Sequence, residues 1–104
     1  MHFIVTAYDG KDGEAALRRQ NARVQHLAGV KRLIKERRHL FGAAILDDDK
    51  QMIGSVLIVD YPSKEALMSE WLNHEPYVTG NVWESVDIQP CMVPDFFLDT
   101  NLAN

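Results

Sequence analysis

The sequence predicts an α+β domain in which two helices cover one face of a four-stranded antiparallel sheet. Apolar stretches follow one another in the order β-α-β-β-α-β, with turn-forming residues at Asp9-Gly10, Asp47-Asp48-Asp49 and Gly80-Asn81 between them. The chain has 104 residues, 46% of them hydrophobic, which is enough for one core and too little for two.

His2–Tyr8 is rich in β-branched and aromatic side chains and stops at Asp9-Gly10, so it is the first strand. Glu14–Arg38 contains no proline and is rich in Ala, Leu, Arg and Lys. Leu17, Val24, Leu27, Val30 and Ile34 recur there at helical spacing, which predicts a long amphipathic helix with Gly29 as a weak point. Leu40–Leu46 and Met52–Tyr61 are two strand runs joined by the aspartate-rich turn, an antiparallel hairpin. Ser63 is placed to cap a second helix over Lys64–Asn73, and Pro62 closes the strand before it. Val82–Gln89 is the last strand, expected to end before Pro90. Two split βαβ units of this order make a ferredoxin-like domain. Two helices leave apolar strand residues such as Ile4, Tyr8, Ile58, Val86 and Ile88 in surplus, which points to a dimeric α+β barrel formed through the free sheet face. The domain is expected over residues 1–91. The tail, residues 92–104, carries Val93, Phe96, Phe97 and Leu98 and is expected to pack on the domain or on its partner.

Charge is divided unevenly. Residues 1–40 hold nine Lys/Arg against four Asp/Glu, net +5, and residues 41–104 hold two against eleven, net -9. The overall charge of -4 and the lack of aromatic residues interleaved with the helix arginines argue against nucleic acid, so the basic residues are expected on a solvated helix face. No apolar run approaches the ~20 residues of a membrane helix, so no membrane partner is expected. A lone Cys91 and the absence of a signal-like N-terminus make the cytoplasm the expected location.

Phosphate-binding glycine loops, paired Cys-x-x-Cys, HExxH and GxSxG are all absent, so nucleotide-binding, zinc-hydrolase and serine-hydrolase chemistry lose their usual support. His2, His26, His39 and His74, with Glu75, match no standard metal-ligand spacing, and neither a metal nor an organic cofactor is expected. Cys91 has no identifiable base beside it. Arg23 and His26 lie three positions apart on the long helix and can meet one ligand: a guanidinium fork for a carboxylate or phenolate, and an imidazole that exchanges a proton near neutral pH. Glu75-Pro76-Tyr77 adds a carboxylate and a phenol at a turn whose geometry the proline constrains.

Four segments carry a resemblance to a known family: RVQHL at Arg23–Leu27, Gly42 after the long helix, GSVLIVDYPSKEAL at Gly54–Leu67, and EPYVTG at Glu75–Gly80 followed by VWESVDIQP. In their order and spacing the chain resembles the YCII-related (YciI-like) family from the first strand to Pro90. The resemblance implies a dimer with a pocket near the sheet and a histidine–carboxylate catalytic pair. His26 matches the histidine, and Glu75 stands where the family has an aspartate before Pro-Tyr or Pro-Phe, one methylene longer. It implies a cofactor-independent acid/base enzyme, of dehydrochlorinase, lyase or isomerase type, on a small cyclic or aromatic acid. In that reading His26 is the base, Glu75 its partner, and Arg23 and Tyr77 bind the substrate. A non-catalytic dimeric module that binds a small anionic organic molecule, and a cofactor-free oxygenase, are the alternative expectations.

Overall fold

A computed structural model of the chain describes residues 1–98. It contains β1 (His2–Asp9), α1 (Ala15–Lys35), β2 (His39–Leu46), β3 (Met52–Asp60), α2 (Lys64–Glu70), α3 (Pro76–Thr79), β4 (Trp83–Cys91) and α4 (Asp95–Leu98), with one 3-10 turn at Leu72–His74. The sheet order is β2-β3-β1-β4 and every pairing is antiparallel, so the first strand made lies in the middle. This is the ferredoxin-like arrangement.

The pleat sorts the strand residues into two faces. Phe3, Val5 and Ala7 of β1 and Leu57 and Val59 of β3 are buried beneath the helices, each burial of a Val, Leu or Phe side chain contributing about 1.5–3 kcal/mol. Val86 and Ile88 pair with Ala7 and Val5 and share that face. Ile4 pairs with Ile58, and Ile58 with Phe41, on the opposite face, where α4 reaches one end and its Phe97 and Leu98 line a cavity with Phe41. The apolar residues that looked like a single surplus therefore divide between the two faces, with Ile88 packing against the core and Val86 exposed at the edge.

Two boundaries differ from expectation for identifiable reasons. The last strand continues through Pro90 to Cys91, with Phe3 opposite Pro90, because β4 is an edge strand and the missing N–H is not needed by a further neighbour. The second helix stops at Glu70: Trp71 leaves helical geometry at φ -131° and its indole enters the core. Its start is as read, with Ser63 Oγ accepting from the Ala66 N–H at 3.1 Å.

Helix α1 presents an unexpected face to the sheet. The residues it buries are Ala15, Arg19, Ala22, His26 and Leu33, whereas Val24 is 79% exposed and Leu17 and Ile34 about half exposed. The buried set recurs at steps of four, three, four and seven positions like a core stripe, but two of its members are polar. The basic residues are accordingly not all on a solvated face, since Arg19 lies inside.

Beyond β4, the Val93 N–H donates to His2 Nδ1 at 3.0 Å and the Val93 side chain is buried. Phe96 and Phe97 of α4 touch each other and remain largely exposed. The end of the expected 92–104 tail lies outside the described residues.

Candidate functional site

His26 and Glu75 are 49 residues apart in sequence and meet where α1 passes over the start of α3. Glu75 is there for a local reason. It is the N-cap of α3, with Pro76 as the first helical residue, and its Oε1 accepts from the Tyr77 N–H at 3.2 Å. The same oxygen accepts from His26 Nδ1, and Oε2 accepts from Trp71 Nε1 at 2.9 Å. The carboxylate is thus held by three N–H donors while only 3% exposed. Burial pushes its pKa up, but the His26 hydrogen bond and charge, with the Trp71 and Tyr77 donors, outweigh that and hold it below the ordinary value. It is a stable buried anion facing an imidazole.

With Nδ1 donating to Glu75, the free nitrogen of His26 is Nε2, and the imidazole lines a cavity of about 260 Å³ between α1 and the β2–β3 side of the sheet. Tyr77 stacks on the ring, centroids 3.8 Å apart and planes 10° from parallel, and Trp83 meets it edge-on at 6.1 Å. These contacts fix the ring plane as Glu75 fixes its tautomer. Tyr77 lines the cavity, and its buried hydroxyl has no hydrogen-bond partner among the described residues.

Arg19, which the sequence reading passed over, forms the next layer. Its Nη1 donates to both carboxylate oxygens of Asp9 at 3.0 and 2.9 Å and its Nη2 to Ser55 Oγ at 3.1 Å, while the guanidinium lies 4.8 Å from the Tyr77 ring centroid. Trp83 Nε1 reaches the same Ser55 hydroxyl at 3.3 Å. Asp9 neutralises Arg19, so this pair orders the wall behind Tyr77. Arg23, one turn on, also lines the cavity but is only partly buried, and among the described residues its Nη1 meets nothing more than the Met52 sulfur at 3.3 Å. Among the described residues it makes no ion pair with a carboxylate.

His26, Glu75, Arg23 and Tyr77 are therefore brought to one place. Trp71, Arg19, Asp9, Ser55 and Trp83 are the participants that sequence reasoning missed. The detectable signal was a polar Arg19 and His26 on the helix stripe that also holds Ala15, Ala22 and Leu33. The remaining histidines stay apart: His74 Nε2 donates to the Ser69 carbonyl, and His2 accepts from Val93. His39 is buried edge-on to Trp71, ring centroids 4.7 Å apart. Burial lowers its pKa to about 4, with the nearby Glu75 opposing and His26 reinforcing the shift. Among the described residues no three His, Cys, Asp or Glu side chains gather as a metal site, and no helix is long and apolar enough to cross a membrane.

Comparison with known proteins gives two results. The family model for the YCII-related domain matches residues 1–92. Among solved structures, a 5-chloro-2-hydroxyhydroquinone dehydrochlorinase from Burkholderia phenoliruptrix AC1100, in complex with 2,5-dihydroxybenzoquinone, is similar at a TM-score of 0.76. Its sequence is 21% identical, and the match covers 92% of this chain and 98% of that one. At that identity the likeness carries the fold. No curated protein matches.

Proposed function

The chain belongs to the YCII-related family, and from that membership we propose that it is a cofactor-independent acid/base enzyme acting on a small hydroxylated or carboxylated ring, with His26 as the base. One observation carries the reading: a buried carboxylate holds His26 Nδ1 and leaves Nε2 without a protein partner among the described residues, on an imidazole that lines a cavity. A base in that state accepts a proton, and the resulting imidazolium is stabilised by Glu75 without proton transfer to the carboxylate. Arg23 holds the anionic edge of the substrate, and the unpaired Tyr77 hydroxyl donates to oxygen charge that develops as the proton leaves.

The reaction class is hydrogen chloride elimination from a chlorinated ring in its keto form, the chemistry that the structural neighbour's name describes. His26 Nε2 takes the proton on the carbon beside the carbonyl. The C–H pair becomes the new C=C bond, and chloride leaves the adjacent carbon with its bonding pair. A homodimer formed through the face that carries Ile4, Phe41 and Ile58 is part of the same reading.

Wild type and His26→Ala are incubated with chlorohydroquinone, following free chloride and the product mass. Chloride and a product lighter by HCl from wild type alone are expected. Equal turnover by His26→Ala, or ligand retained by wild type without conversion, overturns the catalytic assignment. The second outcome identifies a binding module.

A further inference from the structure

The cavity is longer than one aromatic ring needs, and its two ends differ in chemistry. Along α1 it is lined from Arg19 and Arg23 to Val30 and Ile34, so the eleven steps from Arg23 to Ile34 span about 16 Å at 1.5 Å per residue. The β2–β3 register sets the same direction in the floor. Ala44 lies opposite Ser55, which bonds Arg19, whereas Gly42 lies opposite Leu57, toward the Ile34 end. The cationic and hydroxyl groups thus gather at one end, and Val30, Ile34 and Leu57 line the other.

Gly42 is what leaves the apolar end open. Its φ is not positive, and a Cβ built on it would make only ordinary contacts, the nearest being Leu57 Cδ2 at 3.7 Å. Backbone conformation and packing therefore both accept a side chain here. A larger residue would occupy floor beside Leu57, in the cavity that Val30 and Ile34 also line, and glycine keeps that volume empty.

We infer that the site selects ring acids bearing a non-polar substituent opposite the acidic edge, and that Gly42 is the residue that sets the permitted length of that substituent. The inference rests on the ligand site proposed above and names its substrate class. The acidic edge lies at Arg23, the ring beside His26 and Tyr77, and the substituent beneath Ile34.

Titration of the protein with salicylate, 4-methylsalicylate and 4-butylsalicylate, whose alkyl groups lie para to the carboxylate, tests this. Each buried methylene should tighten binding about fourfold, from ~0.8 kcal/mol per CH₂, so the butyl compound should bind at least about tenfold tighter than the methyl one. Gly42→Val should collapse that ratio to near one, and Gly42→Ala should reduce it partly; an unchanged circular dichroism spectrum shows that each variant is folded. Salicylates that all bind wild type equally, or a ratio that survives in folded Gly42→Val, overturn the selectivity while leaving the ligand site intact. Failure of all three to bind overturns the site itself.

Discussion

Replacing Glu75 by Gln keeps the shape of the side chain and removes its charge. In the wild type three N–H groups converge on the carboxylate, two on Oε1 and one on Oε2. An amide has one oxygen. If that oxygen faces His26 and Tyr77, the new NH₂ confronts Trp71 Nε1–H across 2.9 Å; in the reverse orientation it confronts two donors. At least one buried donor is unsatisfied in either case, at a cost of about 1–3 kcal/mol, and hydrogen bonds to a charged acceptor, each worth about 1.5–3 kcal/mol, become weaker neutral ones. We expect Glu75→Gln to lose about 2–4 kcal/mol in urea unfolding at pH 7. The pH dependence fixes the origin of that loss. Because the folded-state pKa of Glu75 lies below its ordinary 4.5, the charged form stabilises the native state above that value, and the contribution fades as pH falls through the lower folded-state value. The difference between wild type and variant should therefore be full at neutral pH and shrink in acid. Loss of the imidazolium partner should lower turnover by about 10²–10⁴-fold. A Glu75→Gln protein within 0.5 kcal/mol of wild type at pH 7, with a parallel pH profile, would refute the buried-anion reasoning.

Three further perturbations probe other parts of the structure. His39 is buried neutral with a pKa near 4 against an ordinary 6.5, so the unfolded chain binds its proton first and native stability drops as pH falls from 6.5 to 4, by about 3 kcal/mol in all. His39→Leu should flatten that part of the profile, and an unaltered slope would contradict it. Arg19→Met leaves Asp9 buried without its partner and should cost about 3–5 kcal/mol; Arg19→Met combined with Asp9→Leu should recover much of it, which a double-mutant cycle in urea measures. Ile58→Lys on the face shared with Ile4 and Phe41 should yield a folded monomer by sedimentation velocity where wild type is a dimer; a wild-type monomer would count against the proposed pairing.

The strand order and the two longer helices were legible because β-branched runs and turn residues act locally, as at Asp47-Asp48-Asp49, where the Asp47 carboxylate accepts from the Asp49 and Gln51 N–H groups at 2.9 Å; the short helices α3 and α4 were not. The orientation of α1 was not. Leu17, Val24 and Ile34 outrank Arg19 and His26 on any hydropathy scale, yet the sheet receives the polar pair because Asp9, Ser55 and Glu75 supply their hydrogen bonds from distant parts of the chain. A one-dimensional pattern records the desolvation cost of a polar side chain and not the partner that offsets it. Of the candidate site, Arg23, His26, Glu75 and Tyr77 stood out by spacing and resemblance. Trp71 was read only as an apolar helix residue, because its role depends on the helix ending at Glu70, three residues earlier than expected.

The central position of β1 also governs the order in which the domain can form during synthesis. His2 pairs with Asp60 on one side and Cys91 on the other, so the first strand to be made waits for most of the chain before either edge is covered. A nascent chain that has released residues through Asp60 can build the β1–β2–β3 half, but it still lacks Glu75, Tyr77 and the strand that shields the far edge of β1. Loop closure over such separations is slow, and an uncovered apolar strand is exposed to association in the meantime. The protein consequently completes its fold late, after the β1–β2–β3 half, and gains the His26–Glu75 pair only once Glu75 has emerged; shortening the chain before Cys91 should leave an aggregating fragment rather than a smaller working domain.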